Sequence, residues 1–144
     1  MKDVLISIRG TQKPNHTEPG ADNSPVSVEL VTDGRYEYSD QGSWFTYQES
    51  ELTGMEGTQT TFRMEDDLVM LTRVGSVNAQ MLFQAGRKHV FLYDTPYGAM
   101  TMGVDTHSIL STLGDRGGSL EVRYLMDLGN SMATRNRFEI NIKI

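Results

Sequence analysis

From Pro25 onward the apolar residues of this chain recur at every second position and almost nowhere at helical spacing, and each run stops at Gly, Asp or Asn. Side chains on a strand point alternately to opposite faces, so a chain patterned this way buries an apolar face only by pairing strands into sheets. Val4, Ile6 and Ile8 share a face in a first strand. Val26, Val28 and Leu30 do so in a second, which ends at the hairpin-turn signature Thr32-Asp33-Gly34-Arg35. Further strands are expected near Tyr36 to Ser39, Ser43 to Glu51, Thr58 to Met64, Leu68 to Val74, Ala79 to Gln84, His89 to Asp94, Ala99 to Leu113, Ser119 to Leu128 and Met132 to Ile144. The breaks between them include Asp40-Gln41-Gly42, Glu65-Asp66-Asp67, Ala85-Gly86-Arg87, Gly114 to Gly118 and Gly129-Asn130. Connections this short make successive strands antiparallel.

A chain of 144 residues suits one domain with one substantial core, residues 1–144. Many consecutive antiparallel strands in one domain leave long edges unless the sheet closes or splits in two. The expected fold is therefore all-β, an antiparallel up-and-down barrel of about eight to ten strands with at most one short helix. Between Val104 and Ile109 the apolar parity flips from even positions (Met100, Met102, Val104) to odd ones (Ile109, Leu113), which marks a β-bulge or barrel corner, with a short helical turn over Thr106 to Leu113 as the alternative. The last strand alternates cleanly, with Phe138, Ile140, Ile142 and Ile144 on one face and Glu139, Asn141 and Lys143 on the other. Residues 10–25 hold Pro14, Pro19, Gly20, Asp22, Asn23 and Ser24 with almost nothing apolar and read as a long mobile loop.

Charge and composition narrow the function classes. Thirteen Lys and Arg against nineteen Asp and Glu leave a net charge of −6, which repels phosphate backbones and anionic lipid surfaces, so neither nucleic acid nor membrane is expected as a partner. The absence of cysteine excludes disulfide frameworks, thiolate metal sites and cysteine nucleophiles. The N-terminus Met1-Lys2-Asp3-Val4-Leu5-Ile6-Ser7-Ile8-Arg9 has an acid at its third position and no signal-peptide apolar core, and no apolar run approaches the roughly 20 residues of a membrane helix, so a cytoplasmic location is expected. His16, His89 and His107 show no metal-ligand spacing, and no cofactor motif is present.

The strings Tyr47-Gln48-Glu49-Ser50, Gly57-Thr58-Gln59-Thr60-Thr61, Arg73-Val74-Gly75, Phe83 with Gly86, Tyr93-Asp94-Thr95-Pro96-Tyr97-Gly98 and Tyr124-Leu125-Met126 occur in that order. In them the chain, from about Val26 to its C-terminus, resembles the YwiB-like family of small bacterial proteins. The resemblance implies a calycin-like, lipocalin-like β-barrel. It brings no activity, cofactor or substrate with it, and barrel relatives that bind small apolar ligands offer analogy only.

In a meander the strands ending at Glu49, Arg73 and Tyr93 run parallel with one antiparallel strand between each pair, so their C-terminal ends share a rim. Phe45 and Tyr47 precede Glu49, Val69 and Leu71 precede Arg73, and Phe91 precedes Tyr93 at period two, each an apolar face with a polar tip. Strands two apart lie roughly 9–10 Å apart, a gap that Arg73 can partly cross toward Glu49 with Thr60 as relay. Arg73 would then anchor a ligand carboxylate or phosphate, with Tyr93 and Tyr97 as orienting donors and the methionines (Met64, Met70, Met81, Met100, Met102, Met126) as a deformable lining. The plainer alternative is a Glu49–Arg73 ion pair that plugs a solid barrel, and if Trp44 and Val74 point inward the cluster dissolves. No second catalytic carboxylate has a predictable place, so an enzyme is not inferred. The expected function is a barrel binding a small amphipathic, anion-bearing molecule. The alternative is a packed barrel acting through its outer surface as a homodimer or adaptor.

Overall fold

A computed structural model describes residues 1–14, 24–127 and 133–144. Ten strands follow one another: β1 (Lys2–Pro14), β2 (Val26–Ser39), β3 (Gly42–Gln48), β4 (Gln59–Glu65), β5 (Leu68–Val74), β6 (Ala79–Gln84), β7 (Lys88–Thr95), β8 (Gly98–Ser111), β9 (Gly117–Asp127) and β10 (Thr134–Lys143). The one helical element among the described residues is a 3₁₀ turn at Glu51–Thr53. All pairings are antiparallel, in the order β6-β5-β4-β3-β2-β1-β10-β9-β8-β7. The first and last strands thus pair in the middle of the sheet, and β6 and β7 come together where it nearly closes into a barrel. At that seam the backbones of Asn78 and Asp94 exchange hydrogen bonds of 2.8 and 3.0 Å. At its other end Gly86, in the β6–β7 turn, donates to the Thr106 carbonyl of β8.

The alternation decides which faces are inside. Phe45, Tyr47, Phe62, Val69, Leu71, Met81, Phe83, Val104, Leu120, Val122, Phe138 and Ile140 form the buried core. Phe138 is its hub, in edge contact with Phe62, Phe83 and Tyr124, while Phe45 stacks on Phe62 with centroids 4.8 Å apart. These offset and edge ring arrangements occupy the middle of the barrel core. Met64, Met102 and Met126 border this core, to which Met81 belongs, but Met70 lies on the other face, where its sulfur accepts from Gln80, and Met100 is 46 % exposed. The methionines are therefore gap-fillers around an aromatic core rather than one continuous lining.

Two expectations are corrected. Thr32-Asp33-Gly34-Arg35 is no turn: β2 runs straight through it, with Ile6 opposite Thr32 and Val4 opposite Gly34. A Cβ on Gly34 would collide with Ile6 Cδ1 and come within 2.7 Å of the Thr46 carbonyl oxygen, so this glycine lets a neighbouring side chain cross the strand instead of reversing the chain. The expected 10–25 loop is also shorter, because Gly10 to Pro14 continue β1, paired with β10 over the whole stretch and with β2 as far as Gln12. Their sequence carries no apolar signal, yet their backbones pair on both sides as far as Gln12 and on the β10 side beyond it. The rest of that expectation, with His16, and the expected break at Gly129-Asn130 lie outside the described residues. The parity flip is a bulge: the β8–β9 register shifts between Thr106 and Ser108, leaving His107 as the extra residue, and no helical turn replaces it.

Candidate functional site

β3, β5 and β7 run parallel and end at one rim, and their faces are now fixed. Phe45 and Tyr47 on β3, Val69 and Leu71 on β5, and Phe91 on β7 are buried, whereas Val74 is 61 % exposed, so Glu49, Arg73 and Tyr93 continue the inward face of their strands. Glu49 stands one residue past β3 but keeps the strand's course by donating its N–H to the Thr58 carbonyl at 2.8 Å. The chain then turns through the 3₁₀ segment, capped by the Ser50 hydroxyl accepting from the Leu52 N–H and ended by Gly54 at φ 75°. This turn carries Thr53 back over the rim.

The Glu49 carboxylate is buried and satisfied by hydroxyls. Thr60 donates to Oε1 and Thr53 to Oε2, each at 2.8 Å. The expected approach of Glu49 to Arg73 does not occur; among the described residues the ion pairs within 4.0 Å include none between them. The reason is local. Thr60 sits opposite both Tyr47 and Arg73 in the ladder, so its hydroxyl reaches the carboxylate before a guanidinium two strands away can.

Arg73 stands half-buried inside the barrel mouth. Its Nε is buried and finds no acceptor. Two phenols sense its field. Burial raises the Tyr47 phenol well above the ordinary tyrosine value and the Glu49 charge raises it further, with Arg73 opposing both. Burial pushes Tyr124 of β9 up to about 12, again with Arg73 opposing. Both phenols are therefore neutral donors at physiological pH. Tyr93 contributes at the edge, its hydroxyl directed at the Met55 sulfur 4.0 Å away. Tyr97 does not join them: it is wholly exposed on the β7–β8 turn, where its N–H donates to the Thr95 hydroxyl.

The structure thus brings together Glu49, Thr60 and Arg73, with Tyr93 at the margin. It adds Tyr47, Thr53, Met55 and Tyr124, which sequence reasoning placed in the apolar faces or left out. Tyr47 was visible at period two before Glu49, and Tyr124 alternates with Leu120 and Val122. Among the described residues no group of His, Asp and Glu side chains is arranged to hold a metal. His89 meets the Gln84 side chain at 3.3 Å, and His107 is exposed at the bulge.

Comparison with known proteins gives three concordant findings. Residues 6–140 match the family model described as a domain of unknown function, DUF1934. The chain is 24% identical over 109 residues to the uncharacterised β-barrel protein YwiB of Bacillus subtilis strain 168, an alignment covering 76% of this chain and 75% of that one. The crystal structure of the ywiB protein from Bacillus subtilis matches with a TM-score of 0.79 at 19% identity, over 98% of this chain and 92% of the other. At that identity the likeness establishes a shared fold.

Proposed function

This chain belongs to the DUF1934 family, a domain of unknown function, and from its geometry we propose that it is a calycin-like barrel binding a small amphipathic molecule by an anionic end. One observation carries the reading. Arg73 holds a guanidinium at the mouth of an apolar barrel with its Nε buried and unpartnered, while the nearby Glu49 spends both oxygens on threonine hydroxyls. A buried N–H without an acceptor is costly, and a ligand carboxylate or phosphate supplies the missing acceptor to the half-buried Arg73 guanidinium. Tyr47 and Tyr124, held neutral, orient it as donors, and Tyr93 with Met55 flanks the entrance. Binding is favoured over catalysis because the one buried carboxylate of the cluster already has both its oxygens engaged by hydroxyls.

Thermal denaturation with laurate and with lauryl alcohol tests this. Laurate at about 100 times its Kd stabilises the protein by about 2.7 kcal/mol, the alcohol does not, and Arg73→Met removes the laurate effect while remaining folded. Equal stabilisation by both compounds, or an unchanged effect in Arg73→Met, refutes the assignment. A second reading, a cytoplasmic homodimer or adaptor using the outside of the barrel, is favoured by Leu5 of β1 and Val31 of β2, both exposed on the outward faces of neighbouring strands. A monomer by sedimentation at high concentration speaks against the homodimer.

A further inference from the structure

The barrel mouth holds a carboxylate and a guanidinium that do not meet. On the outer face of the sheet such groups find one another: Glu121 accepts from Arg123 at 2.7 Å and from Arg137 at 3.0 Å. At the mouth, Glu49 is 6 % exposed and its carboxylate is met by two neutral donors, the hydroxyls of Thr53 and Thr60. Among the described residues no cationic nitrogen lies within salt-bridge distance of it. Arg73, half-buried, has its Nε buried without an acceptor. A buried carboxylate lacking a cation and a buried N–H lacking an acceptor each carry a cost.

The ladder sets the gap between them. Thr60 of β4 stands directly opposite Arg73 of β5, and its hydroxyl bonds to Glu49 Oε1, so the carboxylate lies beside β4, one strand from the strand that carries the guanidinium. Neighbouring strands are about 4.8 Å apart, a gap that a small molecule bridges. The Tyr47 phenol lies in the field of both groups, so they face one space rather than two. A carboxylate offers about four lone-pair sites, and Thr53 and Thr60 use two of them, which leaves Glu49 able to accept a further donor.

We propose that the ligand is an α-amino acid with an apolar side chain, its carboxylate bonded to Arg73 and its ammonium group to Glu49, a proposal that rests on the anionic-end reading of the same mouth. The ammonium brings to Glu49 the positive charge that the threonine hydroxyls lack, together with up to three donors. A ligand with an anionic group alone answers Arg73 but sets a second negative group beside Glu49 in a partly desolvated site, where like charges repel strongly. The zwitterion removes that repulsion. Met55 and Tyr93, both half-buried at the entrance, give the apolar side chain a deformable bed.

Isothermal titration with 2-aminooctanoate, 2-hydroxyoctanoate, octanoate and octylamine tests this. 2-Aminooctanoate is expected to bind one to one and at least about tenfold tighter than octanoate or 2-hydroxyoctanoate, in which a neutral hydroxyl takes the place of the ammonium, because a charge-assisted bond is added. Octylamine, with no group for Arg73, binds more weakly than 2-aminooctanoate. In Glu49→Gln the amino acid loses its advantage while octanoate binds at least as well as to the wild type, and Arg73→Met weakens both. The ranking of the four compounds is read on the wild type, so it decides even where Glu49→Gln fails to fold. Arg73-dependent binding of octanoate with no gain from the amino group, or a gain that persists in folded Glu49→Gln, overturns the amino-acid assignment and leaves the anionic-end reading standing. Binding unchanged in Arg73→Met, or no binding of any of the four by the wild type, overturns both.

Discussion

A methyl group on Gly34 would collide with Ile6 Cδ1 and approach the Thr46 carbonyl oxygen to 2.7 Å, and the second contact is with backbone that cannot swing away. Gly34→Ala is therefore expected to cost about 1–3 kcal/mol in chemical denaturation; a neutral outcome would mean that β1 and β2 are not held this closely. At Glu49 the partners are hydroxyls, so a double-mutant cycle between Glu49→Gln and Thr60→Val should show a coupling of about 1–2 kcal/mol. The same cycle between Glu49 and Arg73 should show much less. Period two showed which residues share a face with Glu49 and Arg73, but not whether that face was interior, which the burial of Phe45, Tyr47, Val69 and Leu71 against the exposure of Val74 decides. Who satisfies whom was not, because the hydroxyl that displaces the guanidinium comes partly from Thr53, and only the folded 3₁₀ turn brings it over the rim.

Among the elements, the seam between β6 and β7 is where the sheet is weakest. Asn78 and Asp94 bond to each other across it, so by the alternation of a strand the N–H groups of Gln80, Leu82, Val90 and Leu92 also point into the seam, without a ladder to receive them. Their amides should exchange with solvent much faster than those of Met81 and Phe91, which point to β5 and β8. Uniform protection along β6 and β7 would show instead a fully hydrogen-bonded barrel. The bulge in β8 was written in the sequence, because an extra residue must invert the parity of everything after it, and Val104 and Ile109 record that inversion. The extension of β1 through Gly10 to Pro14 was not, since backbone pairing leaves no trace in polar side chains.

For the whole molecule, buried phenols and the acid–arginine lattice on the outer face set how stability depends on pH. Tyr124 titrates near 12 in the folded barrel and near 10 when unfolded, so its contribution is intact below pH 10 and is lost as the pH rises from about 10 to 12. By pH 12 the loss from this group is on the order of 2–3 kcal/mol. Tyr124→Phe should flatten that alkaline limb in denaturant midpoints measured against pH, and an unchanged limb would place the phenol in water. Glu121, lowered by its bond to Arg137, acts at the other end: its contribution is present above the usual glutamate value and is lost as the pH falls through its depressed one. The up-and-down order was legible from the short breaks between strands, and with it the barrel closure by pairing of the first strand with the last, whereas nothing in the local pattern marked the β6–β7 junction as the place where the sheet stays nearly open. Whether the barrel mouth holds an anionic head group against Arg73 is read by native mass spectrometry of protein purified without added ligand. A co-purified amphipathic carboxylate or phosphate is expected on the wild type and absent from folded Arg73→Met. An empty wild type that also fails to take up laurate, or an adduct that persists unchanged in Arg73→Met, would contradict it.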